Sequence, residues 1–319
     1  MNTPKYNGPT ILNLEMLAEI QEMPVTELKD LIFTARRCYR ANSPVIKPDG
    51  NIRQIYTVLA PLDLFQRRIV DNIFQHVKFP PYLQGSIKAD EIDRGYIENA
   101  NLHAKYRFIV RDDIKNFFQS VTYKLILRIW QDFFGFPFSV ASALAQTTSY
   151  NGFLPQGAST SSCLANLAFW DREYLLVSLL EQNSYFYTRF VDDVNISSNT
   201  RLDKAAVTLV REKVYAMFRS NGLRPNRKKS RVQTRSSKKT VNNLNISSGR
   251  ATMDEKERLR IRAAVRQCEE MAKITKASDE YMHLYNTTLG RVMTMNRLHK
   301  HEAKPYRERL RAIEPSLGH

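Results

Sequence analysis

Two adjacent aspartates, Asp192 and Asp193, lie between short apolar stretches in the sequence SYFYTRFVDDVNISS. Acidic pairs are unfavourable in strands and are rarely buried without a partner. The pattern therefore predicts a hairpin of two strands whose like charges need a cation. Upstream, the sequence FIVRDDIKNFF offers a third carboxylate in a similar apolar setting. With that aspartate across a sheet, the three carboxylates indicate a two-metal phosphoryl-transfer site.

The rest of the chain has to build the elements that hold these carboxylates. Apolar spacing predicts helices in most of the chain, alternating residues predict strands around the aspartates, and KPDG at 47–50 predicts the turn of a hairpin. Together these elements predict an α+β fold. The predicted helices are LNLEMLAEIQ, VTELKDLIFTARRCY (beginning at Thr26), residues 62–77, TYKLILRIWQDFF, one long buried helix over about 161–180, residues 203–220, and the segment from Met253 onward, broken near Pro305.

The charge of the chain points towards a polyanionic partner. The formal net charge is +16, and the last 96 residues contain 23 Lys and Arg against 10 Asp and Glu. A basic segment of this kind usually binds nucleic acid through phosphates, although a solvated, solubilising surface has the same composition. The composition therefore favours a nucleic-acid enzyme or binding protein.

Cysteines, histidines and apolar runs indicate the cellular compartment. Three cysteines that lie far apart predict buried thiols in a reducing compartment and not a disulfide framework or a zinc site. The six histidines show no ligand spacing, no apolar run is long enough to cross a bilayer, and the N-terminus lacks the pattern of a signal peptide. We therefore expect a cytoplasmic protein that does not bind a membrane.

Four motifs, in order along the chain, carry a resemblance to a known family. They are Asp-Ile-Lys-Asn-Phe-Phe at 113–118, Leu-Pro-Gln-Gly-Ala-Ser-Thr-Ser at 154–161, Phe-Val-Asp-Asp at 190–193 and Gly-Leu-Arg-Pro-Asn-Arg-Lys-Lys-Ser at 222–230. As an ordered set they resemble the motifs of reverse transcriptases, over nearly the whole chain. The family usually has Tyr-x-Asp-Asp in the third motif, so Phe190 lacks one hydroxyl group.

The resemblance implies a right-hand polymerase fold with fingers, a palm sheet packed on helices, and a helical thumb. It also implies two Mg²⁺ ions, about 3.5–4 Å apart in sites of this type. Their predicted ligands are Asp113, Asp192 and Asp193, with Asp193 acting more through its charge. Asp113 takes the ligand position because Ile-Lys-x-Phe-Phe begins directly after it, and Asp112 would then point to the opposite face of the strand.

The same resemblance assigns residues to a nucleotide pocket. Phe118 matches the aromatic side chain that blocks a ribose 2′-hydroxyl, and it is otherwise a core phenylalanine. Gln156 lines the pocket, Lys229 lies near the metal-bound phosphates, and Arg53 either contacts the incoming triphosphate or is a surface arginine. Together with Ile114, these four residues complete the predicted nucleotide-binding set.

Within the family the chain looks most similar to bacterial retron enzymes. Asn99 and His103 fit the N-A-x-x-H signature that precedes the first catalytic strand of retron enzymes. A second signature, Val-Thr-Gly, is absent, because residues 241–244 read Val-Asn-Asn-Leu. The predicted RNA-binding residues are Asn99 and His103 together with Arg258 and Arg262, although arginines at this spacing are also typical of any basic surface helix.

The resemblance predicts a domain order and a function. The domains are N-terminal helices and fingers at 1–105, a palm with part of the fingers at 106–235, and a basic thumb at 236–319. The enzyme would use dNTPs to copy part of its cognate structured non-coding RNA into branched msDNA, in anti-phage defence, with a separately encoded effector protein. The alternatives are another bacterial reverse transcriptase, of the abortive-infection or group II intron type, and a non-catalytic RNA-binding scaffold.

Overall fold

A computed structural model describes residues 3–46, 50, 52–88, 92–234 and 236–316. The fold is α+β, as predicted. The helices are α1 Leu14–Ile20, α2 Val25–Thr34, α3 Leu62–Asn72, α4 Tyr96–Ala104, α5 Phe117–Ser120, α6 Tyr123–Arg128, α7 Phe138–Thr148, α8 Ser161–Asn166, α9 Glu173–Gln182, α10 Lys204–Ser220, α11 Glu255–Ala272, α12 Asp279–Leu298 and α13 Lys300–Ala312. Short 3₁₀ segments cover Ala35–Cys38 and Phe74–His76, and a π-helical turn covers Ile129–Phe133.

The strands are mostly short. They are β1 Lys5–Tyr6, β2 Tyr39–Ala41, β3 Val45–Ile46, β4 Ile52–Arg53, β5 Tyr56–Val58, β6 Val77–Lys78, β7 Leu83–Gln84, β8 Phe108–Asp113, β9 Phe186–Phe190, β10 Asp193–Ser198, β11 Arg231–Gln233, β12 Thr240–Val241 and β13 Leu244–Asn245. Five of them form the central sheet, in the order β11-β8-β10-β9-β7, and the other strands pair in twos.

The chain divides into two compact units. The larger unit comprises residues 1–95 and 107–233, and the smaller unit comprises residues 96–106 and 234–319. This grouping corrects the predicted domains in one respect. The segment 96–105 was assigned to the N-terminal domain by its position in the sequence, whereas its helix α4 packs with β12 of the smaller unit.

The central sheet of the larger unit sets the position of the aspartates. Strands β8 and β10 are antiparallel, with Asp113 directly opposite Asp193. Strand β9 pairs with the other edge of β10, which makes the predicted hairpin around Asp192. Val110, Val194 and Ile196, on the opposite face from Asp113 and Asp193, are completely buried. Burying a side chain of this kind stabilises the fold by about 1.5–3 kcal/mol, so the pleat fixes which face carries the carboxylates.

Several predicted elements differ from the observed ones. The predicted long helix over 161–180 is two helices, α8 and α9, because the chain turns between them at 167–172. Helix α2 begins at Val25 after Pro24 and not at Thr26, since proline is compatible with a helix N-terminus. The predicted hairpin is present as paired strands β3 and β4, whereas residues 47–49 of its turn lie outside the described residues.

The smaller unit is built around three helices. Helices α11, α12 and α13 share a separate apolar core that includes Ile261, Val265, Val292 and Leu310. The predicted break near Pro305 is absent, because this proline lies within the first two turns of α13 and the helix continues through it; the breaks fall after α11 and at His299. No helix in the described part of the chain is long and apolar enough to cross a membrane.

A two-residue turn joins β12 to β13 at the place where this sequence differs from the Val-Thr-Gly signature. Asn242 and Asn243 both have positive φ angles, of 48° and 63°. Hairpin turns of this length commonly need that geometry at both central positions, and asparagine tolerates it better than other non-glycine residues. The Asn-Asn pair is therefore suited to the backbone at this place.

Candidate active site

Asp113 ends strand β8 and is held by a basic and a polar side chain from the segment after α10. Lys229 Nζ donates to Asp113 Oδ2 at 2.7 Å, and Asn226 Nδ2 donates to Asp113 Oδ1 at 3.0 Å. The backbone N–H of Asn226 also donates to the carbonyl of Asp113 at 2.7 Å. Burial acts to lower the pKa of Lys229, but the hydrogen bond and charge of Asp113 outweigh it and raise that pKa. Lys229 is therefore a cation fixed beside the carboxylate.

Asp112, the neighbouring carboxylate, lies on the other face of the strand. It accepts a hydrogen bond from the Tyr215 hydroxyl at 2.8 Å and one from Arg211 Nε at 3.4 Å, both on α10. Its side chain is completely buried there. The structure thus separates the two adjacent aspartates as predicted, because successive side chains of a strand point to opposite faces.

Asp192 lies in the turn between β9 and β10. The N–H of Ile114 donates to the Asp192 carbonyl at 2.9 Å, which ties this turn to the end of β8. Burial, followed by the negative charges of Asp113 and Asp193, raises the pKa of the Asp192 carboxyl to about 6. A carboxylate in these surroundings is stabilised by a cation.

The turn itself has a strained backbone. Val191 has a φ angle of 57°, in the left-handed region that a β-branched residue rarely adopts. Strain of this kind costs about 1–3 kcal/mol and persists where the surrounding structure holds it. Next to it, the Phe190 ring packs so closely on Gly85 that a Cβ atom there would lie 2.8 Å from the ring. Glycine at position 85 therefore makes room for this aromatic side chain.

Asp193 forms an ion pair with Arg111, a side chain of the neighbouring strand β8. Arg111 donates to it through both Nε (2.8 Å) and Nη2 (2.7 Å). Burial raises the pKa of Asp193, and the charge of Arg111 opposes that shift. Direct metal ligation by Asp193 stays a prediction; the guanidinium fork of Arg111 engages both of its oxygens, and its charge lies next to Asp192. Arg111 was not among the residues predicted from the sequence, although it lies two residues before Asp113 and so on the same face of the strand.

A cavity of about 170 Å³ joins the candidate residues. Asp113 and Asp192 lie in its wall, and so do all five predicted nucleotide-binding residues. The full lining is Ile52, Arg53, Gln54, Asp113, Ile114, Asn116, Phe117, Phe118, Gln119, Gln156, Asp192, Asn226 and Lys229. Asn226 was missed as a site residue, although the motif at 222–230 contains it. Basic, acidic and aromatic side chains therefore line the same cavity.

The two carboxylates suit a magnesium site. In the described part of the chain, no three or more carboxylate, imidazole or thiol side chains form a cluster that could hold a metal ion by themselves. Magnesium in phosphoryl-transfer sites is usually bound by one or two carboxylates, with substrate phosphates and water completing its coordination. Asp113 and Asp192 supply those carboxylates, and the raised pKa of Asp192 is the electrostatic sign that a cation fits.

Gly157 docks the predicted nucleotide-binding loop on strand β5. Its φ angle is 109°, and a Cβ atom there would lie 2.3 Å from the Tyr56 carbonyl oxygen. The Tyr56 N–H donates to the carbonyl of Gln156 at 2.8 Å. The close approach therefore sets the position of the residue that lines the cavity.

We expect Gly157→Ala to destabilise the fold by about 1–3 kcal/mol and to raise the KM for dNTPs, because the loop must move away from Tyr56. Gly152→Ala is the matched control, since φ there is also positive, at 82°, but nothing lies within 4 Å of the added Cβ. Urea unfolding and steady-state dNTP titration measure both effects. Equal KM values in the two variants would contradict the docking role.

The predicted RNA-binding residues occupy different environments in the smaller unit. Asn99 and His103 are completely buried, and Asn99 Nδ2 donates to Asn242 Oδ1. Burial lowers the pKa of His103 to about 3, so this histidine is neutral. Neither side chain has a surface for direct contact with RNA, which corrects that expectation. Arg258 pairs with Glu302 across α11 and α13, whereas Arg262 is exposed.

Comparison with known proteins agrees with this geometry. Residues 45–259 match the family model described as reverse transcriptase (RNA-dependent DNA polymerase). The chain belongs to the reverse transcriptase family, and the enzyme class that its motifs predicted is confirmed.

Similar proteins indicate which reverse transcriptases this chain resembles. The chain is 29% identical to the retron Se72 reverse transcriptase of Salmonella heidelberg, over 99% of this chain and 83% of that protein. It is 26% identical to the retron Ec48 reverse transcriptase of Escherichia coli, over 98% of this chain and 78% of the relative. The retron Ec86 reverse transcriptase of Escherichia coli is 28% identical over 81% of this chain and 78% of the relative. The predicted resemblance to retron reverse transcriptases is therefore confirmed.

Proposed function

We propose that this protein is the RNA-directed DNA polymerase of a retron, and that it copies part of its own structured non-coding RNA into branched msDNA. The observation that carries the proposal is the cavity lined jointly by Asp113, Asp192, Arg53, Gln156 and Lys229. Carboxylates that can bind metal cations lie there beside basic side chains that can bind phosphates. Nucleotidyl transfer from a triphosphate requires this charge pattern. The likeness to retron reverse transcriptases over almost the whole chain supports the RNA partner.

The residues of the cavity divide the work. Asp113 and Asp192 would hold two Mg²⁺ ions, which when bound activate the primer hydroxyl and neutralise the triphosphate. Lys229 and Arg53 would bind phosphate oxygens of the incoming nucleotide, while Gln156 and Ile114 line the same cavity. Asn226 orients the Asp113 carboxylate through the hydrogen bond at 3.0 Å. Positioning and charge neutralisation then supply most of the rate enhancement.

The domain roles follow from this assignment. The central sheet with its aspartates would be the palm, the β2–β5 and β3–β4 pairs would belong to the fingers, and helices α11–α13 would form the thumb. Arg262, which is exposed on α11, is available to phosphates of a bound nucleic acid. Asn99 and His103 would contribute indirectly, by fixing helix α4 against the turn at Asn242.

The biological setting is part of the same proposal. A retron polymerase would act in anti-phage defence together with a separately encoded effector. Its product is distinctive, because priming from a guanosine 2′-hydroxyl leaves DNA joined to RNA through a 2′,5′ branch. That branch separates a retron enzyme from other bacterial reverse transcriptases.

Sequencing of the nucleic acid that copurifies with the protein, expressed with its flanking DNA, tests the proposal. We expect a DNA strand joined to a structured RNA by a 2′,5′ linkage, which debranching enzyme releases. Primer extension on an RNA template, with and without Mg²⁺, serves as the parallel assay. DNA synthesis without a branched species would indicate another reverse transcriptase, and RNA binding without DNA synthesis would indicate a scaffold.

A further inference from the structure

Arg189 is a completely buried cation on β9, two residues before the turn that carries Asp192. Its guanidinium donates to both oxygens of Glu173, from Nε and Nη2, each at 2.7 Å. Nη2 also donates to the Asn166 carbonyl at 2.8 Å, and Nη1 donates to the Val191 carbonyl at 2.9 Å. The guanidinium lies 5.4 Å from the centre of the Phe169 ring. Every edge of this side chain is therefore engaged.

Glu173 completes the arrangement from helix α9. Its side chain is 2% exposed, and it also accepts a hydrogen bond from the Tyr187 hydroxyl at 2.6 Å. Its charge outweighs the effect of burial on Arg189 and raises the arginine pKa. Both oxygens of Glu173 therefore accept hydrogen bonds from donors within the protein. Glu173 is held on a helix and Arg189 on a strand, so the pair joins two rigid elements.

Stability alone is a poor reason for such a pair. Replacing a buried ion pair by apolar side chains of similar volume is often neutral or stabilising, because the charges no longer have to be removed from water. What apolar side chains cannot replace is the donor to the Val191 carbonyl. That carbonyl belongs to the residue with the left-handed backbone, and the Val191 N–H donates in turn to the Gln84 carbonyl at 3.3 Å.

We propose that Arg189, fixed by Glu173, is a positioning residue that holds the Val191 carbonyl and so keeps Asp192 directed into the cavity. Asp192 follows Val191 directly, so a rotation of the Val191–Asp192 peptide would change the direction of the Asp192 side chain, which now lines the cavity. Arginine suits this task because its fork donates in several fixed directions at once, whereas lysine offers one compact charge on a flexible stem. The consequence for DNA synthesis rests on the proposed function, but the effect on cation binding does not.

The experiment compares Arg189→Lys with Glu173→Gln. The amide of Glu173→Gln would still offer an oxygen to Arg189 and leave the bond to Val191 intact, although the buried guanidinium loses its counter-charge. The ammonium group of Arg189→Lys would keep the charge but cannot reach Glu173, Asn166 and Val191 together. Arg128→Lys is the control for an ion-paired arginine elsewhere, since Arg128 pairs with Asp171 at 3.0 Å.

Three measurements separate positioning from simple destabilisation. They are urea unfolding, Mn²⁺ binding by electron paramagnetic resonance without substrate, and kcat and KM on the folded fraction. We expect both site variants to lose stability, but Arg189→Lys alone to weaken Mn²⁺ binding and lower kcat, each about tenfold or more, with KM for dNTPs changed less. Arg128→Lys should match the wild type in Mn²⁺ binding and in kcat.

Two results would overturn the inference. One is folded Arg189→Lys protein with Mn²⁺ binding within twofold of the wild type. The other is a loss of Mn²⁺ binding in both Arg189→Lys and Glu173→Gln, in proportion to their loss of stability. If the wild type made no DNA, the proposed function would fail, while the Mn²⁺ titration would still decide the role of Arg189.

Discussion

Asp192→Asn should abolish Mg²⁺-dependent DNA synthesis, with a loss of at least about 10³-fold in kcat, and should leave RNA binding intact. A metal ion at such a site supplies several kcal/mol of transition-state stabilisation, and each 1.4 kcal/mol corresponds to about tenfold in rate. Asparagine has nearly the same shape but lacks the charge, so the turn and its hydrogen bond from Ile114 can remain. Primer extension and RNA gel-shift assays measure the two properties.

The same substitution should stabilise the metal-free protein by about 3 kcal/mol at pH 7.5. The folded state raises the pKa of Asp192 to about 6, which means that it binds a proton more tightly than the unfolded chain does. Ionised Asp192 therefore destabilises the fold above pH 6, and the penalty disappears as the pH falls through 6 towards 4. Without Mg²⁺, the wild type should gain stability between pH 7.5 and 5, and Asp192→Asn should gain less.

Asp112→Asn is the matched control for this experiment. Asp112 lies next to a predicted ligand but on the other face of β8, where Tyr215 and Arg211 hold it. Its replacement should lower the free energy of unfolding while the folded enzyme keeps its Mg²⁺ dependence. Wild-type DNA synthesis by Asp192→Asn, or loss of Mg²⁺ dependence in folded Asp112→Asn, would show that the ligands have been assigned to the wrong face.

The sequence predicted the local parts of this site well because each part has a short-range cause. Alternation along FIVRDDI separates Asp112 from Asp113, and the Asp-Asp pair between apolar runs defines the β9–β10 hairpin. Helix α10, predicted over residues 203–220 and observed over Lys204–Ser220, likewise follows from adjacent residues, and its cap at Asp203 accepts from the N–H of Ala206. Hydrophobic period and capping chemistry are both contained in a short window.

The parts that sequence reasoning missed depend on distant partners. The guanidinium of Arg111 reaches Asp193 because β8 and β10 pair in one particular register. No local sequence pattern distinguishes this arginine from an exposed one. Asn99 is 143 residues from Asn242, so their hydrogen bond, and the grouping of α4 with the smaller unit, could not be foreseen from spacing. The break at 167–172 was hidden because both halves of the predicted helix are apolar.

Phe118→Ala should reduce discrimination against ribonucleotides by about 10- to 100-fold, because forcing an extra group into a filled space costs about 1–3 kcal/mol. Phe118 lines the cavity and is only partly buried. Under the proposed function its ring would meet a sugar hydroxyl, and removing it would make room for the 2′-oxygen. Single-nucleotide incorporation with matched dNTP and rNTP gives the ratio of kcat/KM values.

Phe117→Ala separates this effect from a general loss of packing. Although Phe117 also lies at the cavity wall, it is 2% exposed and stacks on Phe169 with ring centres 6.4 Å apart. Its truncation should cost about 3–5 kcal/mol of stability but leave the deoxy-to-ribo ratio of the folded enzyme close to that of the wild type. An unchanged ratio in Phe118→Ala, or an equal change in both variants, would make Phe118 a core residue and move the basis of sugar selection elsewhere in the cavity.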